Sequence, residues 1–248
     1  MAAGAQIRLF CVPYAGGSAR AYWWWRQTIA DGIDVVPLEL PGRGSRIAEP
    51  YATSVTEAAR DLAQELRKRS SGQPYALLGH SLGSLIAYEA VCHLEAAGSP
   101  PPELLVVSGR NPPHARNKWS ARASQLSDDR LLGELSAMGQ TPRGLSCSLA
   151  SRFFLPVIRA DLRMVQDYQA NSTARQIGAP ILVFAGRDDQ LTDSEILSEW
   201  ARYTSLGCHV RQFDGGHFFL YDQVVEVAEI VRARLRSGTP TRTRERSQ

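Results

Sequence analysis

Three short stretches of this chain carry side chains that can act together on an acyl carbonyl. Gly79-His80-Ser81-Leu82-Gly83 places a serine hydroxyl in a Gly-x-Ser-x-Gly pentapeptide. Gly186-Arg187-Asp188-Asp189 supplies two adjacent carboxylates, and Gly215-Gly216-His217 supplies an imidazole. A serine hydroxyl is a weak nucleophile at neutral pH. It needs a base to take its proton, and the base needs an acid to fix its tautomer and orientation. The order Ser81, then Asp188 or Asp189, then His217 is one of the chain orders in which such triads occur. Both aspartates are candidates for the acid, and the one left over is expected to hold the turn. Among the five histidines, His80 adjoins the serine, His93 falls in a helix, His114 lies in a connection and His209 opens a strand. His217, after two glycines at a strand end, is the candidate base.

Acyl transfer to serine also needs two backbone N–H groups aimed at the developing oxyanion. The residue after the nucleophile, Leu82, should give one. The loop Val12-Pro13-Tyr14-Ala15-Gly16-Gly17-Ser18 has glycines for close backbone approach. It makes Ala15 the expected second donor, with Tyr14 the alternative; a plain Gly-Gly turn is the reading without function.

These groups need a scaffold. An apolar run, Tyr75–Leu78, enters the pentapeptide and a helix-like run, Leu85–Val91, leaves it. Strand, sharp turn and helix in that order are the setting of a nucleophile elbow. Its glycines let the two backbones pass where a Cβ would clash. A strand-to-helix turn capped by serine is the competing reading. Further short apolar runs predict strands at Ile7–Val12, Asp34–Leu38, Tyr75–Gly79, Leu104–Ser108, Ile181–Ala185 and His209–Phe213. Amphipathic runs predict helices at Ala19–Ala30, Val55–Arg69, Leu82–Ala97, Asp193–Tyr203 and Gln223–Arg236, with Ser54 and Glu57 as a capping box and Asp222 as a cap. The alternation argues for an α/β fold, a mostly parallel central sheet flanked by helices. Both acid and base then fall at the C-terminal ends of strands, where such sheets place their sites.

One stretch breaks the alternation. Between Asn111 and Asn171 there is no strand-like run, while Leu126–Leu135 and Phe153–Leu162 have helical spacing. The expectation is a core of residues 1–110 and 172–236, a helical lid insertion at 111–171, and a disordered basic tail at 237–248. A packed helical subdomain without gating is the alternative for the insertion.

Composition is that of an ordinary globular chain: 248 residues, 44% hydrophobic, 21% charged and a net charge of +3. Arg242, Arg244 and Arg246 against Glu245 put much of that charge in the tail, so it does not argue for nucleic-acid binding. Cys11, Cys92, Cys147 and Cys208 have no metal-ligand or CxxC spacing and read as reduced core thiols of a cytoplasmic protein. Neither a membrane span nor a signal peptide is expected. The run Tyr22-Trp23-Trp24-Trp25 cannot bury all three tryptophans at helical spacing, so core plus partly exposed surface is expected, with one or two at a pocket rim as the alternative. Pro41-Gly42-Arg43-Gly44-Ser45-Arg46 lacks the Lys-Ser/Thr of a phosphate loop and reads as a loop beside the cleft with Arg43 and Arg46 exposed.

Pro13–Ser18, Leu40–Arg43, Gly79–Gly83, Ser108-Gly109-Arg110, Leu126–Asp129, Gly186–Asp189 and Gly215–Leu220 run in order from about Ile7 to Leu235. Together they resemble the type II (external, editing) thioesterases that accompany polyketide synthases and nonribosomal peptide synthetases. No single piece is specific; the early Ala-Gly-Gly, the elbow and Gly-Gly-His-Phe-Phe-Leu together are. The resemblance implies an α/β-hydrolase fold and favours Asp189 over Asp188 as the acid. It implies Ser81, Asp189 and His217 as a triad, with Leu82 and Ala15 as oxyanion donors. It implies a monomeric enzyme without cofactor or metal, acting on acyl groups carried by the phosphopantetheine of a carrier protein or by coenzyme A. Arg110, Arg116 or Lys118 would steer an acidic carrier. Two positions depart from the pattern: Leu82 stands where many relatives have methionine, and Tyr14 where many have histidine. Other acyl hydrolases or acyltransferases on the same fold, or a carrier-binding module without activity, are the competing readings.

Overall fold

The structure, a computed structural model, describes residues 7–29, 32–116, 118–139, 150–168 and 174–237. Six strands form one parallel sheet: β1 Ile7–Val12, β2 Ile33–Pro37, β3 Tyr75–His80, β4 Leu104–Ser108, β5 Ile181–Gly186 and β6 Cys208–Phe213. Their order across the sheet is β2-β1-β3-β4-β5-β6. The strands are central where the sequence is continuously apolar. Every residue of β3, β4 and β5 is buried, while β6 at the edge is half open and carries His209 and Arg211 outward. Charge along an edge strand discourages pairing with another chain.

Period-two alternation sends neighbouring side chains to opposite layers. Phe10, Val12 and Leu77 join one buried cluster, and Leu9, Cys11 and Leu78 the other. Helices α2 Val55–Ser70 and α3 Leu82–Ala96 cover the first layer. Helix α1 Trp23–Thr28, the short helix α7 Phe219–Asp222 and α8 Val224–Ser237 cover the second. Helix α2 turns Val55, Ala58, Ala59, Leu62 and Leu66 inward, spaced as one helical face. Its cap differs by one residue from a reciprocal box. Ser54 Oγ accepts from the Glu57 N–H at 3.1 Å, but the Glu57 carboxylate reaches back to Thr53, accepting from its N–H at 2.7 Å.

The predicted strands are all present. Three helical expectations need correction. Residues 19–28 divide into a 3₁₀ turn, Ala19–Tyr22, and α1. Residues 197–203 form a 3₁₀ helix rather than an α-helix from Asp193, because Leu197, Trp200 and Tyr203 are all buried. A three-residue spacing lines up on a three-residue turn. Asp222 ends α7 instead of capping α8, and α8 runs to Ser237, one residue into the expected tail. The rest of the tail, residues 238–248, lies outside the described residues. Trp25 is buried, whereas Trp23 and Trp24 are exposed and pack against each other with their ring planes tilted by 49°. Cys11 and Cys92 are buried and free, Cys208 is only half-buried, and Cys147 lies outside the described residues. No helix among the described residues is long and apolar enough to cross a membrane.

Between β4 and β5 the chain forms α4 Lys118–Ala123, α5 Asp128–Ala137, a π-helical turn Ala150–Phe154, and α6 Leu155–Asp167. Helices α5 and α6 follow from the spacing of their leucines; α4 was not predicted.

Candidate active site

The serine sits where β3 turns into α3. Ser81 has φ 54° and ψ −114°, a left-handed conformation that a side chain adopts only under constraint. The constraint comes from both flanking glycines. A Cβ on Gly79 would lie 2.2 Å from the Gly83 carbonyl oxygen, and one on Gly83 would lie 2.3 Å from that of Val12. The Ser81 N–H donates to the Ser108 carbonyl of β4 at 2.8 Å. Buried Ser84, one turn into α3, donates to the Gly79 carbonyl at 2.8 Å and accepts from the Ser108 N–H at 3.1 Å. Strand, turn and helix are thereby tied to the next strand.

The imidazole comes from the far end of the sheet. His217 follows β6, and β5 and β4 stand between it and the serine. Two glycines let the loop fold back. A Cβ on Gly186 would be 2.4 Å from the carbonyl oxygens of Gly215 and Gly216. Gly109, at φ +60°, follows β4; a Cβ there would be 3.1 Å from His217 Cε1 and 2.7 Å from His80 Cε1. His217 therefore lies over the end of β4 and lines the same chamber as Ser81. Its Nδ1 is 2.8 Å from Asp189 Oδ2, and both side chains are buried. Asp189 Oδ1 accepts from the Leu191 N–H at 2.8 Å, so both carboxylate oxygens are engaged. Asp188 is exposed and uses its backbone N–H to hold the Gly215 carbonyl at 3.0 Å.

His80 forms the wall behind His217, their ring centroids 4.9 Å apart. Burial, then the nearby His217, hold its pKa well below the usual histidine range, so it is neutral. Its Nδ1 meets Ser108 Oγ at 3.0 Å. Tyr14 packs against His80, Phe218 and Tyr221 with its phenol raised in pKa by burial. That aromatic packing fixes the loop in which Ala15 also faces the Ser81 chamber. The next N–H, Gly16, is taken by Asp161 Oδ2 at 2.7 Å.

Asp161 belongs to α6 and is fully buried. Its two oxygens meet both terminal nitrogens of Arg43, at 2.5 and 2.7 Å. Arg43 is buried too, which corrects the expectation of an exposed loop arginine. Arg46 is only partly exposed and pairs with Glu49 and Asp61 at 2.5 and 2.6 Å. The loop turns its arginines inward because carboxylates from α2 and α6 wait there. Arg110 is likewise buried, so it is not a docking charge at an entrance. Arg116 is exposed, and the Lys118 side chain lies outside the described residues.

The chamber around Ser81 holds about 20 Å³ and is lined by Trp119 and Ser120 of α4 and by Ile158, Leu162 and Val165 of α6. A wider cavity of about 750 Å³ adjoins it, bounded by Asp189, His217, Trp119, Met138 and the Arg122–Glu134 ion pair.

The family model for the thioesterase domain matches residues 7–235. The chain belongs to the thioesterase family. It is 32% identical over 236 residues to the gramicidin S biosynthesis protein GrsT of Aneurinibacillus migulanus, covering 94% of this chain and 90% of that one. Among solved structures, ClbQ from the colibactin NRPS/PKS pathway superposes with a TM-score of 0.87 at 33% identity, over 94% of this chain and 98% of its own. YbtT, a type II thioesterase from the yersiniabactin NRPS/PKS pathway, gives a TM-score of 0.86 at 26% identity, over 96% of each chain. The fold of this thioesterase is that of the α/β-hydrolases, and the enzyme is a hydrolase of thioesters of the type II, pathway-associated kind.

Sequence reasoning passed over three residues that shape the site of this thioesterase. Gly109 was one glycine in a resembling motif, with nothing to say that two imidazoles pack against it. Ser84 looked like any polar residue in a helix. Asp161 stood out only as an acid among Ile158, Leu162 and Val165, a signal that a carboxylate is buried and needs a partner.

Proposed function

We propose that this thioesterase hydrolyses acyl groups from the phosphopantetheine thiol of carrier proteins, clearing stalled or misprimed units from an assembly line, with Ser81, His217 and Asp189 as its catalytic triad. The observation that carries the assignment is the 2.8 Å contact from His217 Nδ1 to Asp189, with Ser81 at a left-handed elbow in the same chamber. Asp189 fixes the tautomer in which Nδ1 carries the proton, leaving Nε2 as the base. Ser81 Oγ attacks the thioester carbonyl carbon as His217 takes its proton. The oxyanion rests on the N–H groups of Leu82 and Ala15, at the positive end of the α3 dipole. Collapse expels the pantetheine sulfur, which takes the proton from His217. A water, deprotonated by His217, then attacks the ester on Ser81; the Oγ–acyl bond breaks, His217 returns the proton to Ser81 Oγ, and the acid leaves.

The insertion at 111–171, of which 117, 140–149 and 169–171 lie outside the described residues, acts as a lid over a core of 1–110 and 172–236. The chamber of about 20 Å³ beside Ser81 is no larger than a water site, and an outward shift of α4 and α6 would widen it toward the adjoining cavity to take an acyl chain. The test is a panel of acyl-carrier, acyl-CoA and p-nitrophenyl ester substrates, wild type beside Ser81→Ala. Turnover lost in the variant and fastest on acyl-carrier supports the proposal. Ser81-dependent turnover of simple esters alone makes this a general esterase.

A further inference from the structure

Two arginines are buried beside the site, and they are treated differently. Arg43 has both terminal nitrogens on Asp161. Arg110 is as deeply buried, only 4% exposed, yet among the described residues no carboxylate pairs with it. Its Nε has no hydrogen-bond partner, and its backbone carbonyl is taken by Trp200 Nε1 at 3.0 Å. The electrostatic neighbour of its guanidinium is the phenol of Tyr168, which burial and Glu89 keep neutral and which donates to Glu89 Oε1 at 2.6 Å. Burial lowers the pKa of Arg110 to about 10, which leaves it charged at neutral pH. An unpaired buried cation is costly, and a fold keeps one where a ligand completes it.

The position says which ligand. Arg110 is two residues beyond β4, directly after Gly109, and lines the chamber that Ser81, Ala15 and His217 share. The rest of that wall is mostly apolar: Trp119, Ile158, Leu162, Val165 and Leu191. An acyl group on Ser81 occupies this chamber. The pantetheine arm is neutral from its sulfur through both amides, and its phosphate stays at the carrier surface. A negative charge that the substrate brings to Arg110 then belongs to the acyl group itself, and because Arg110 lines the same chamber as Ser81 a short chain reaches it.

We propose that Arg110 is a specificity-determining residue that pairs with a carboxylate on the acyl chain, so that the preferred substrates are thioesters of short dicarboxylic acids. This rests on the thioesterase reading above. A planar guanidinium can hold a carboxylate through two parallel hydrogen bonds, which a ketone or methyl end cannot match.

The experiment compares succinyl, 4-oxopentanoyl and butyryl thioesters of pantetheine with wild type, Arg110→Lys, Arg110→Met and Ser81→Ala. The oxopentanoyl chain keeps the length and a carbonyl acceptor but not the charge. The expected result is a kcat/KM for succinyl about tenfold or more above both neutral chains in wild type. Arg110→Met brings that ratio to about one, with the change mostly in KM, and Arg110→Lys keeps part of it. A wild type that favours or does not distinguish the neutral chains overturns the inference without any variant. So does an Arg110→Met protein that loses activity on all three chains equally with a lowered Tm, the signature of a structural role. Absence of Ser81-dependent turnover on every thioester overturns the functional reading itself, and this inference with it.

Discussion

The rim of the sheet and the helical insertion after β4 are built on opposite principles. At the rim, position is set by backbone against backbone. Gly79, Gly83 and Gly186 each sit where a Cβ would come within 2.4 Å of a carbonyl oxygen, and the strands beneath are wholly buried. In the insertion, position is set by side chains, an apolar face of Leu131, Leu135, Ile158 and Leu162 seated on the core together with ion pairs. Arg43 meets Asp161, Arg159 meets Asp128 and Arg122 meets Glu134. Backbone packing has one solution, whereas ion pairs can part and re-form. On the reading proposed above, the reaction and the choice of acyl group by Arg110 belong to the rim, and the admission of the acyl group belongs to the insertion.

The largest expected effect lies at the rim. Ser81→Ala should lower kcat by about 10⁴ or more while leaving the fold intact, measured as thioester turnover beside circular dichroism. If instead the insertion carried the chemistry, the loss would be small.

The next effect lies in the insertion and is one of stability. Asp161→Ala leaves the Arg43 cation buried without its partner and frees the Gly16 N–H, and should cost about 3–5 kcal/mol in denaturant unfolding. The double change Arg43→Met with Asp161→Leu should recover most of it, since the charge and its partner leave together. A smaller loss in the single variant would mean that α6 is held by its apolar face alone.

Gly109→Ala sharpens the rim side. Its Cβ would meet His80 and His217 at 2.7 and 3.1 Å in a left-handed conformation. Displacing the imidazole by about 1 Å should cost about 10²-fold in kcat, with substrate binding little changed. The smallest effect is away from both regions. Ser54→Ala removes the cap of α2 and should cost about 1 kcal/mol of stability with kcat unchanged.

Much of the rim could be read from the sequence, because backbone constraints write themselves as glycines and apolar runs. Gly79 and Gly83 announced the elbow, and each predicted strand is present within a residue or so at its ends. The choice between Asp188 and Asp189 as partner of His217 is a matter of which side chain points inward, and spacing carries no such information. In the structure Asp189 turns to the imidazole and Asp188 to solvent. The insertion was legible only as helices. Arg43 and Arg110 read as surface charges because their burial depends on partners and walls more than 40 residues away in the chain, Asp161 for one and Ile158 and Leu162 for the other. Long-range pairing leaves no local periodicity to detect. The 3₁₀ helix at Leu197–Tyr203 was legible in principle from the three-residue spacing of Leu197, Trp200 and Tyr203.

The central claim is that His217 and Asp189 activate Ser81. The most direct measurement is labelling with a fluorophosphonate probe followed by peptide mapping, in wild type and in His217→Ala. One adduct, on Ser81, is expected in wild type and almost none in His217→Ala. Absence of labelling in folded wild type, or an adduct on another serine, would contradict that claim.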